Sequence, residues 1–175
     1  TVEEQVQNLF DTAAQTHGGI DVVVNNAGLG GTANVTEMTD EQWSKVLDVT
    51  LNGTFRCTRA AMRHMQPRGK GAIVNNASVL AWRAQEGQAH YAAAKAGLVG
   101  YVAARAEALS RRGITVNAIS PGFTAGPTND YIVQDPVAAK GVTDVTALRR
   151  FGQPEEIADI VYALASPLGR WVTAQ

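Results

Sequence analysis

Three short apolar runs, separated by helix-length segments, constrain the fold of this chain more than any other feature. They occupy residues 20–26, 71–78 and 113–120, combine Val, Ile and Thr with small residues, and are bounded by turn residues. Such runs are typical of buried strands, and the segments between them, about 40–65 and 88–110, carry apolar residues at helical spacing. Strands that alternate with long helices form βαβ units in a parallel sheet with helices on both faces. The sequence therefore predicts an α/β fold, with the first run buried on both faces.

Local signals predict where helices begin. A first helix is expected to start at an N-cap Thr1, with Glu4 completing a capping box. Thr39 and Gln42 provide the same box for a second helix, which we expect to kink near Gly53.

The last third of the chain is less regular. Residues 123–150 contain two prolines, so we expect irregular structure with one or two short helices. Pro154, at a first helical position, opens a last helix over about 154–166. The tail, 170–175, is expected to approach a further strand.

Composition and charge argue against several classes of partner. Hydrophobic residues make up 45% of the chain and charged residues 18%, which is typical of a globular protein. The net charge is −1 and no basic stripe occurs, so we expect no nucleic-acid partner. No apolar run has the length that crosses a bilayer and no signal peptide is visible, so we expect no membrane partner and a cytoplasmic location.

Cysteine and histidine content argues against disulfide and metal chemistry. Cys57 is the only cysteine, which fits a reducing compartment, and we interpret it as a free, buried, apolar side chain. His17, His64 and His90 share no metal-ligand spacing with one another or with Cys57, so we expect no metal site.

Tyr91 and Lys95, separated by three alanines, are the residues with the clearest chemical potential. Alanine favours helix, and residues at i and i+4 lie on one helical face, so both side chains should point the same way. A phenol has a pKa of about 10, which a fixed ammonium beside it is expected to lower. Ser78, at the end of the second run, would add a neutral hydrogen-bond donor, giving a tunable acid–base group. Tyr-x-x-x-Lys alone is a weak pattern, and a purely structural role is the alternative.

Four separated segments are expected to meet at one edge of the sheet. Residues 26–28, Ser78 and 121–124 each follow a strand, and Tyr91 opens a helix that begins on the same side. Ligands of such sheets bind beyond the carboxyl ends of the strands. Asn26 could instead cap a connection, and the pair that follows the third strand could be only a turn.

Taken in order and with their spacing, these motifs resemble the classical short-chain dehydrogenase/reductase family. The resemblance is carried by Asn25-Asn26-Ala27-Gly28, Ser78, Tyr91-Ala92-Ala93-Ala94-Lys95, Asn117 and Pro121-Gly122. The stretches at 113–117 and 149–158 look most like the 3-oxoacyl-acyl-carrier-protein reductase branch.

The resemblance implies an NAD(P)-dependent oxidoreductase that interconverts a carbonyl and a secondary alcohol of a small molecule, most like a 3-oxoacyl thioester reductase. Tyr91 would exchange a proton with the substrate oxygen, Lys95 would hold the nicotinamide ribose, and Ser78 would hydrogen-bond the substrate. The cofactor, NADP or NAD, would deliver hydride. Its other contacts would be Asn26, Ala27, Gly28, Pro121, Gly122 and Thr124. A homo-oligomer, dimer or tetramer, would form through the two long helices.

The chain also departs from the family's pattern. Thr50 stands where the family usually has an Asn that holds a water of the proton relay, and its hydroxyl is expected to give a weaker relay. Asn52 lies about 200° further round the helix, so it should not substitute. Gly126 stands at one usual place of a carboxamide-binding threonine, which leaves Thr124 or Thr128.

The phosphate-binding part of the family's pattern is missing. No Gly-x-x-x-Gly-x-Gly sequence occurs, and no strand precedes the first run. We therefore expect a Rossmann-like, doubly wound, three-layer α/β/α sheet without its first strands and last strand. Residues 1–175 would form a single, incomplete domain, the C-terminal two thirds of an enzyme, with an exposed sheet edge at 22–24.

Two other functions stay open at this stage. One is a steroid or other secondary-alcohol dehydrogenase of the same family, which the irregular segment 123–150 would decide. The other is a catalytically impaired fragment that acts as an oligomerisation module, through small residues of the helix at 88–110 (Ala93, Gly97, Gly100 and Ala104). The intact Ser78, Tyr91 and Lys95 set favours an enzyme.

Overall fold

Three parallel strands form the sheet of this protein: β1 (Val22–Asn25), β2 (Gly71–Asn76) and β3 (Ile114–Ile119). The structure is a computed structural model that describes residues 2–83 and 85–175, the side chains of 105–108 excepted. The strands lie in the order β1-β2-β3, so β2 is central among them. Their carboxyl ends share one edge, because Asn25 pairs with Asn75 and Asn76 pairs with Ile119. The predicted parallel α/β sheet is confirmed.

Helices connect the strands and cover the sheet. They are α1 (Glu3–His17), α2 (Asp40–Leu47), α3 (Gly53–Arg68), α4 (Ala89–Ser110), α5 (Asp130–Val133), α6 (Pro136–Val145) and α7 (Pro154–Ala165). The segments α5 and α6 are the two short helices predicted within 123–150. In the described residues, no helix is both long enough and apolar enough to cross a membrane.

The hydrophobic core lies between one face of the sheet and three helices. Phe10 of α1, Met65 of α3 and Val102 of α4 pack in one buried cluster with Ile73 of β2. Val74, the next residue along β2, is also buried and points to the opposite face, because side chains alternate along a strand. There α7 packs against β2 and β3.

The first strand is less buried than the sequence predicts. Val22 and Val24 are 43% and 44% exposed, whereas Val23 between them is buried. The prediction of burial on both faces is wrong, because α7 packs mainly against β2 and β3. Among the described residues β1 pairs only with β2, so the predicted exposed edge is confirmed.

The helix starts are confirmed in part. Thr1 lies outside the described residues, and α1 begins at Glu3 with no side-chain capping bond from its N-cap. At α2 the predicted capping box is present, with Gln42 N–H donating to Thr39 Oγ1 at 3.2 Å and Thr39 N–H to Gln42 Oε1 at 2.9 Å. A turn of π-helix, Asp48–Asn52, lies immediately before Gly53, the residue near which we expect a kink.

The C-terminal tail, which the sequence predicts to approach a further strand, lies beside β3. Ala174 N–H donates to Val116 O at 2.9 Å, and Ala118 N–H donates to Gln175 O at 2.7 Å. Asn117 fixes the same tail, because its Nδ2 donates to Val172 O at 2.9 Å and its Oδ1 accepts from Gln175 N–H at 3.2 Å. The buried Asn117 amide therefore has a structural role.

We expect Gly113→Ala to destabilise the protein by more than about 2 kcal/mol. Gly113 has a φ of +71°, and a Cβ there would lie 2.2 Å from Gly69 O, which is backbone and cannot swing aside. Gly141→Ala is the control, since it lies within α6 with nothing within 4 Å, and should be neutral or stabilising by up to about 1 kcal/mol. Urea denaturation of both variants measures the difference, and equal midpoints would contradict this account of the turn.

Candidate active site

Ser78 is held in place just beyond the end of β2. Its Oγ accepts a hydrogen bond from Leu80 N–H at 3.2 Å, and the next residue, Val79, donates its N–H to Pro121 O at 3.1 Å. The bond from Leu80 uses Oγ as an acceptor, so the Ser78 O–H hydrogen remains as a donor toward Tyr91. Two strand ends thus fix one hydroxyl group.

Tyr91 and Lys95 lie on the first turns of α4 and face Ser78. A hydrogen bond from the Ser78 side chain acts to lower the pKa of the Tyr91 phenol. Lys95 Nζ is 5.4 Å from the centroid of the Tyr91 ring. The structure therefore brings together the three side chains that the sequence predicts to meet.

Lys95 is a buried cation with one short hydrogen bond. The residue is only 3% exposed, and its Nζ donates to Asn76 O at 2.5 Å. Burial disfavours the charged ammonium and lowers the pKa of Lys95 from 10.5 to about 8.

The pKa of Tyr91 moves in the direction opposite to the one expected from the sequence. Burial raises the pKa of the phenol above 10, and the hydrogen bond with Ser78 opposes that rise. The prediction that Lys95 lowers the pKa of Tyr91 is therefore wrong for the protein by itself. The physical reason is that withdrawal of the phenolate from water outweighs the other contributions at this site.

An open cavity of about 600 Å³ lies beside these groups. Its walls come from the ends of all three strands, the start of α4 and the segment around α5. They are formed by Asn26, Gly28, Gly30, Gly31, Thr32, Asn76, Val79, Leu80, Gln85, Gln88, Tyr91, Lys95, Gly122, Phe123, Thr128, Asn129, Tyr131 and Ile132. Among these described residues, Lys95 is the only one with a formal charge.

Some of the predicted contact residues lie behind the wall rather than in it. Ala27, Pro121, Thr124 and the predicted catalytic Ser78 do not line the cavity. The Thr124 hydroxyl donates to Gly122 O at 3.3 Å, and the same residue pairs with Gly152. Thr128, the alternative to Thr124, does line the cavity.

Thr50 is fully buried in the π-helical turn and supports the cavity from behind. Its Oγ1 accepts from Leu29 N–H at 3.1 Å. A Cβ added at Gly28 would lie 3.5 Å from both Thr50 Oγ1 and Lys95 Nζ, so these groups surround a single glycine. Asn52 points elsewhere and hydrogen-bonds Asp48, in agreement with the expectation that it does not replace Thr50.

The sequence analysis missed the contacts that fasten the strand ends. Asn25 Nδ2 donates to Asn75 Oδ1 at 2.8 Å, and Asn76 Nδ2 donates to Asn26 Oδ1 at 2.7 Å. The repeated Asn-Asn at the ends of β1 and β2 was a visible signal for them. Gln88 had no such signal, because its partner Thr32 is 56 residues away.

A nicotinamide ring fits this wall. Gly28 and Gly122 place no side chain between the cavity and the backbone, and Lys95, Tyr91 and Asn26 provide polar groups around them. In the described residues no group of three or more His, Cys, Asp or Glu could hold a metal ion. Fold and cavity together define an α/β protein with a tyrosine and a lysine at the wall of a ligand site and a buried serine beside them.

Comparison with known proteins identifies the class. Residues 1–175 match the family model described as enoyl-(acyl carrier protein) reductase. The chain is 41% identical over 180 residues to (5R,7aS)-5-hydroxy-7a-methyl-1-oxo-2,3,5,6,7,7a-hexahydro-1H-indene-carboxyl-CoA reductase of Mycobacterium tuberculosis, covering 100% of this chain and 67% of that protein. It is 37% identical over 175 residues to the 3-oxoacyl-[acyl-carrier-protein] reductase FabG of Thermotoga maritima, covering 100% of this chain and 70% of that protein.

Solved structures agree. A gluconate 5-dehydrogenase from Burkholderia cenocepacia in complex with NADP and tartrate superposes with a TM-score of 0.95 at 30% identity, over 99% of this chain and 68% of that one. The chain belongs to the short-chain dehydrogenase/reductase family, and it is an NAD(P)-dependent oxidoreductase acting on CH–OH or carbonyl groups. It spans about two thirds of the length of these relatives.

Buried Lys95 should make stability depend on pH in a definite direction. Between pH 8 and 10.5 the unfolded chain binds more protons at this residue than the folded chain does, so the free energy of unfolding rises with pH. The destabilisation that comes from burying the charged Lys95 is complete below pH 8 and disappears as the pH rises through 10.5. Relative to Lys95→Met, the unsubstituted protein should gain on the order of 2–3 kcal/mol over this window.

Denaturation at several pH values measures this difference. Lys45→Met is the control, because the Lys45 side chain is exposed on α2 and its removal should give no such slope. A Lys95→Met difference that stays constant between pH 8 and 10.5 would contradict the burial of a charged amine here.

Proposed function

We propose that this protein reduces the ketone of a 3-oxoacyl thioester, with Tyr91 as the acid–base group. The observation that carries the proposal is that Tyr91 and Lys95 line one cavity, with Lys95 Nζ 5.4 Å from the centroid of the Tyr91 ring. Ser78 supports it, because its hydrogen bond acts to lower the pKa of the Tyr91 phenol. A half-buried phenol with a raised pKa stays protonated at neutral pH, which suits a group that donates a proton to a carbonyl oxygen.

Each side chain has one task in this proposal. The nicotinamide cofactor, when bound, supplies the hydride. Tyr91 Oη gives its proton to the substrate oxygen. When the substrate is bound, the Ser78 O–H turns from the Tyr91 oxygen to donate a hydrogen bond to that substrate oxygen. Lys95 holds the ribose and stabilises the phenolate that remains, and Thr50 supports a weak proton relay from behind Gly28.

Binding of the cofactor is proposed along the glycine-rich side of the cavity. Asn26, Ala27 and Gly28 would lie along the nicotinamide nucleoside. Pro121 and Gly122 would approach the ring. Thr128, which lines the cavity, would bind the carboxamide, whereas Thr124 does not line the cavity. We treat residues 1–175 as one incomplete domain, so that the remaining cofactor contacts come from elsewhere.

The charge of the cavity supports a neutral reacting group. Apart from Lys95, its described wall carries only amide, hydroxyl, glycine and apolar groups. A 3-oxoacyl chain is neutral, whereas a substrate carboxylate would require a further cation or several donors. The match to a FabG reductase supports the same substrate class.

A secondary-alcohol dehydrogenase acting on a fused-ring substrate is the second candidate. It is favoured by the mycobacterial relative, whose name describes a bicyclic hydroxy-ketone joined to CoA. Phe123, Tyr131 and Ile132 give the cavity an apolar side that could cover such rings. Comparing acetoacetyl-CoA with a bicyclic ketone as substrates separates the two candidates.

We also propose a homo-oligomer built on the long helices. Ala93, Gly100 and Ala104 are exposed on α4. Gly97 is not free for this purpose, because a Cβ there would lie 2.9 Å from Leu51 Cδ2 within the same chain. The set of Ser78, Tyr91 and Lys95 argues against a purely structural module, since an interface has no need of it.

Tyr91→Phe should lower turnover at least about 10³-fold, because it removes the proton donor and leaves the ring in place. The assay follows NADPH oxidation with acetoacetyl-CoA, in the protein made from its complete coding sequence. Tyr162→Phe, at an exposed position of α7, is the control and should retain full activity. Turnover of Tyr91→Phe within about threefold of the unsubstituted protein would contradict the proposal.

A further inference from the structure

The loop after β1 is joined to the start of the helix that carries Tyr91. We call residues 28–33 the β1 loop; it forms one side of the cavity. Ala33 N–H donates to Gly87 O at 3.0 Å, and Gln88 Nε2 donates to Thr32 Oγ1 at 3.2 Å. These two bonds connect the wall of the cavity to the residues immediately before Tyr91.

Close packing reinforces the same joint. Gly87 has a φ of +73°, and a Cβ there would lie 2.6 Å from Thr32 Cγ2, so the methyl group of Thr32 occupies the space that a side chain would need. Next to it, a Cβ at Gly31 would lie 3.4 Å from Nε2 of His90, which is only 2% exposed. The loop and the helix start therefore fit each other in shape as well as in hydrogen bonding.

Gln88 is not explained by helix capping. It stands at the N-cap of α4, where its carbonyl accepts from Ala92 N–H at 2.8 Å, but its side chain makes no capping bond. Short polar residues are preferred at that position because they cap the helix themselves. Gln88 lies three residues before Tyr91, and its long amide side chain reaches the β1 loop instead.

The other end of the β1 loop is fixed near Lys95. Leu29 N–H donates to Thr50 Oγ1, and Gly28 lies against both Thr50 and Lys95. The loop is therefore held at one end beside the buried ammonium and at the other against the start of α4, which carries Tyr91.

We propose that Thr32 and Gln88 are positioning residues that set the distance between the β1 loop and the Tyr91 hydroxyl. The proposal rests on the proposed role of Tyr91, and on a nicotinamide ring lying over the β1 loop. A displacement of about 1 Å caused away from the reacting atoms can cost about 100-fold in rate. Loss of the joint should therefore slow hydride transfer more than it weakens cofactor binding.

Paired substitutions separate the hydrogen bond from the shape. Thr32→Val keeps the shape and loses the acceptor, Gln88→Leu loses the donor, and Thr32→Ser keeps the hydroxyl. We expect the first two to lower the single-turnover rate of hydride transfer about 10- to 100-fold, with the NADPH dissociation constant changed less than about threefold. Thr32→Ser should retain most of the rate, and Thr36→Val, in the exposed turn that follows, is the control.

A second measurement does not depend on turnover. Exchange of the Ala33 amide hydrogen should speed up in Thr32→Val and Gln88→Leu, and the pKa of Tyr91, followed by NMR with ¹³C-labelled tyrosine, should change in both. The proposal is supported if Thr32→Val and Gln88→Leu show slower hydride transfer, faster Ala33 exchange and a changed Tyr91 pKa, and if Thr32→Ser shows none of these effects.

Three results would overturn it: faster Ala33 exchange with unchanged hydride transfer, equal damage in Thr32→Ser and Thr32→Val, or a rate loss matched by weaker NADPH binding. If the unsubstituted protein reduces no carbonyl compound, the proposed function fails separately. In that case the pKa of Tyr91 tests the role of Thr32 and Gln88. An unchanged Tyr91 pKa in both Thr32→Val and Gln88→Leu refutes the proposal.

Discussion

The burial of the Lys95 ammonium is the constraint on which the site depends. A cation that is 3% exposed needs a partner inside the protein, and it finds one in the carbonyl of Asn76, at the end of the central strand. This bond fixes α4 against β2. Tyr91, one turn before Lys95, is thereby held against Ser78, two residues beyond Asn76. The lowered pKa of Lys95, about 8, reflects the free energy that burial of this charge costs. Strongly shifted pKa values cluster at functional sites, which favours a functional role for Lys95.

Side-chain amides make the edge that carries the site rigid, whereas the outer edge of the sheet is left open. Asn25 binds Asn75 and Thr58 within the protein, and Asn76 binds Asn26 at the cavity. Hydrogen bonds between these amides favour one register, since a slip by one residue would break them. The ends of β1 and β2 are therefore fastened twice, although Val22 and Val24 of β1 are nearly half exposed.

Strong local signals were sufficient for the elements and for the gathering of Ser78, Tyr91 and Lys95. The capping box at Thr39 and the three apolar runs gave the helix and strand starts, and parallel strands necessarily share one carboxyl edge. The exposure of β1 was misjudged because a strand pattern does not show how far a covering helix extends. The direction of the Tyr91 pKa was misjudged because sequence spacing shows a neighbouring charge but not the depth of burial.

The sequence by itself determined the order of strands and helices, the edge at which the ligand site forms and the residue types that meet there. Periodicity, capping and spacing are local properties, and the topology of parallel strands turns them into a shared location. Only the tertiary structure decided that Thr128 rather than Thr124 faces the cavity, that the Tyr91 pKa rises, and that Thr32 and Gln88 join the β1 loop to α4. Each of these depends on desolvation or on contacts between residues far apart along the chain, which no local pattern records.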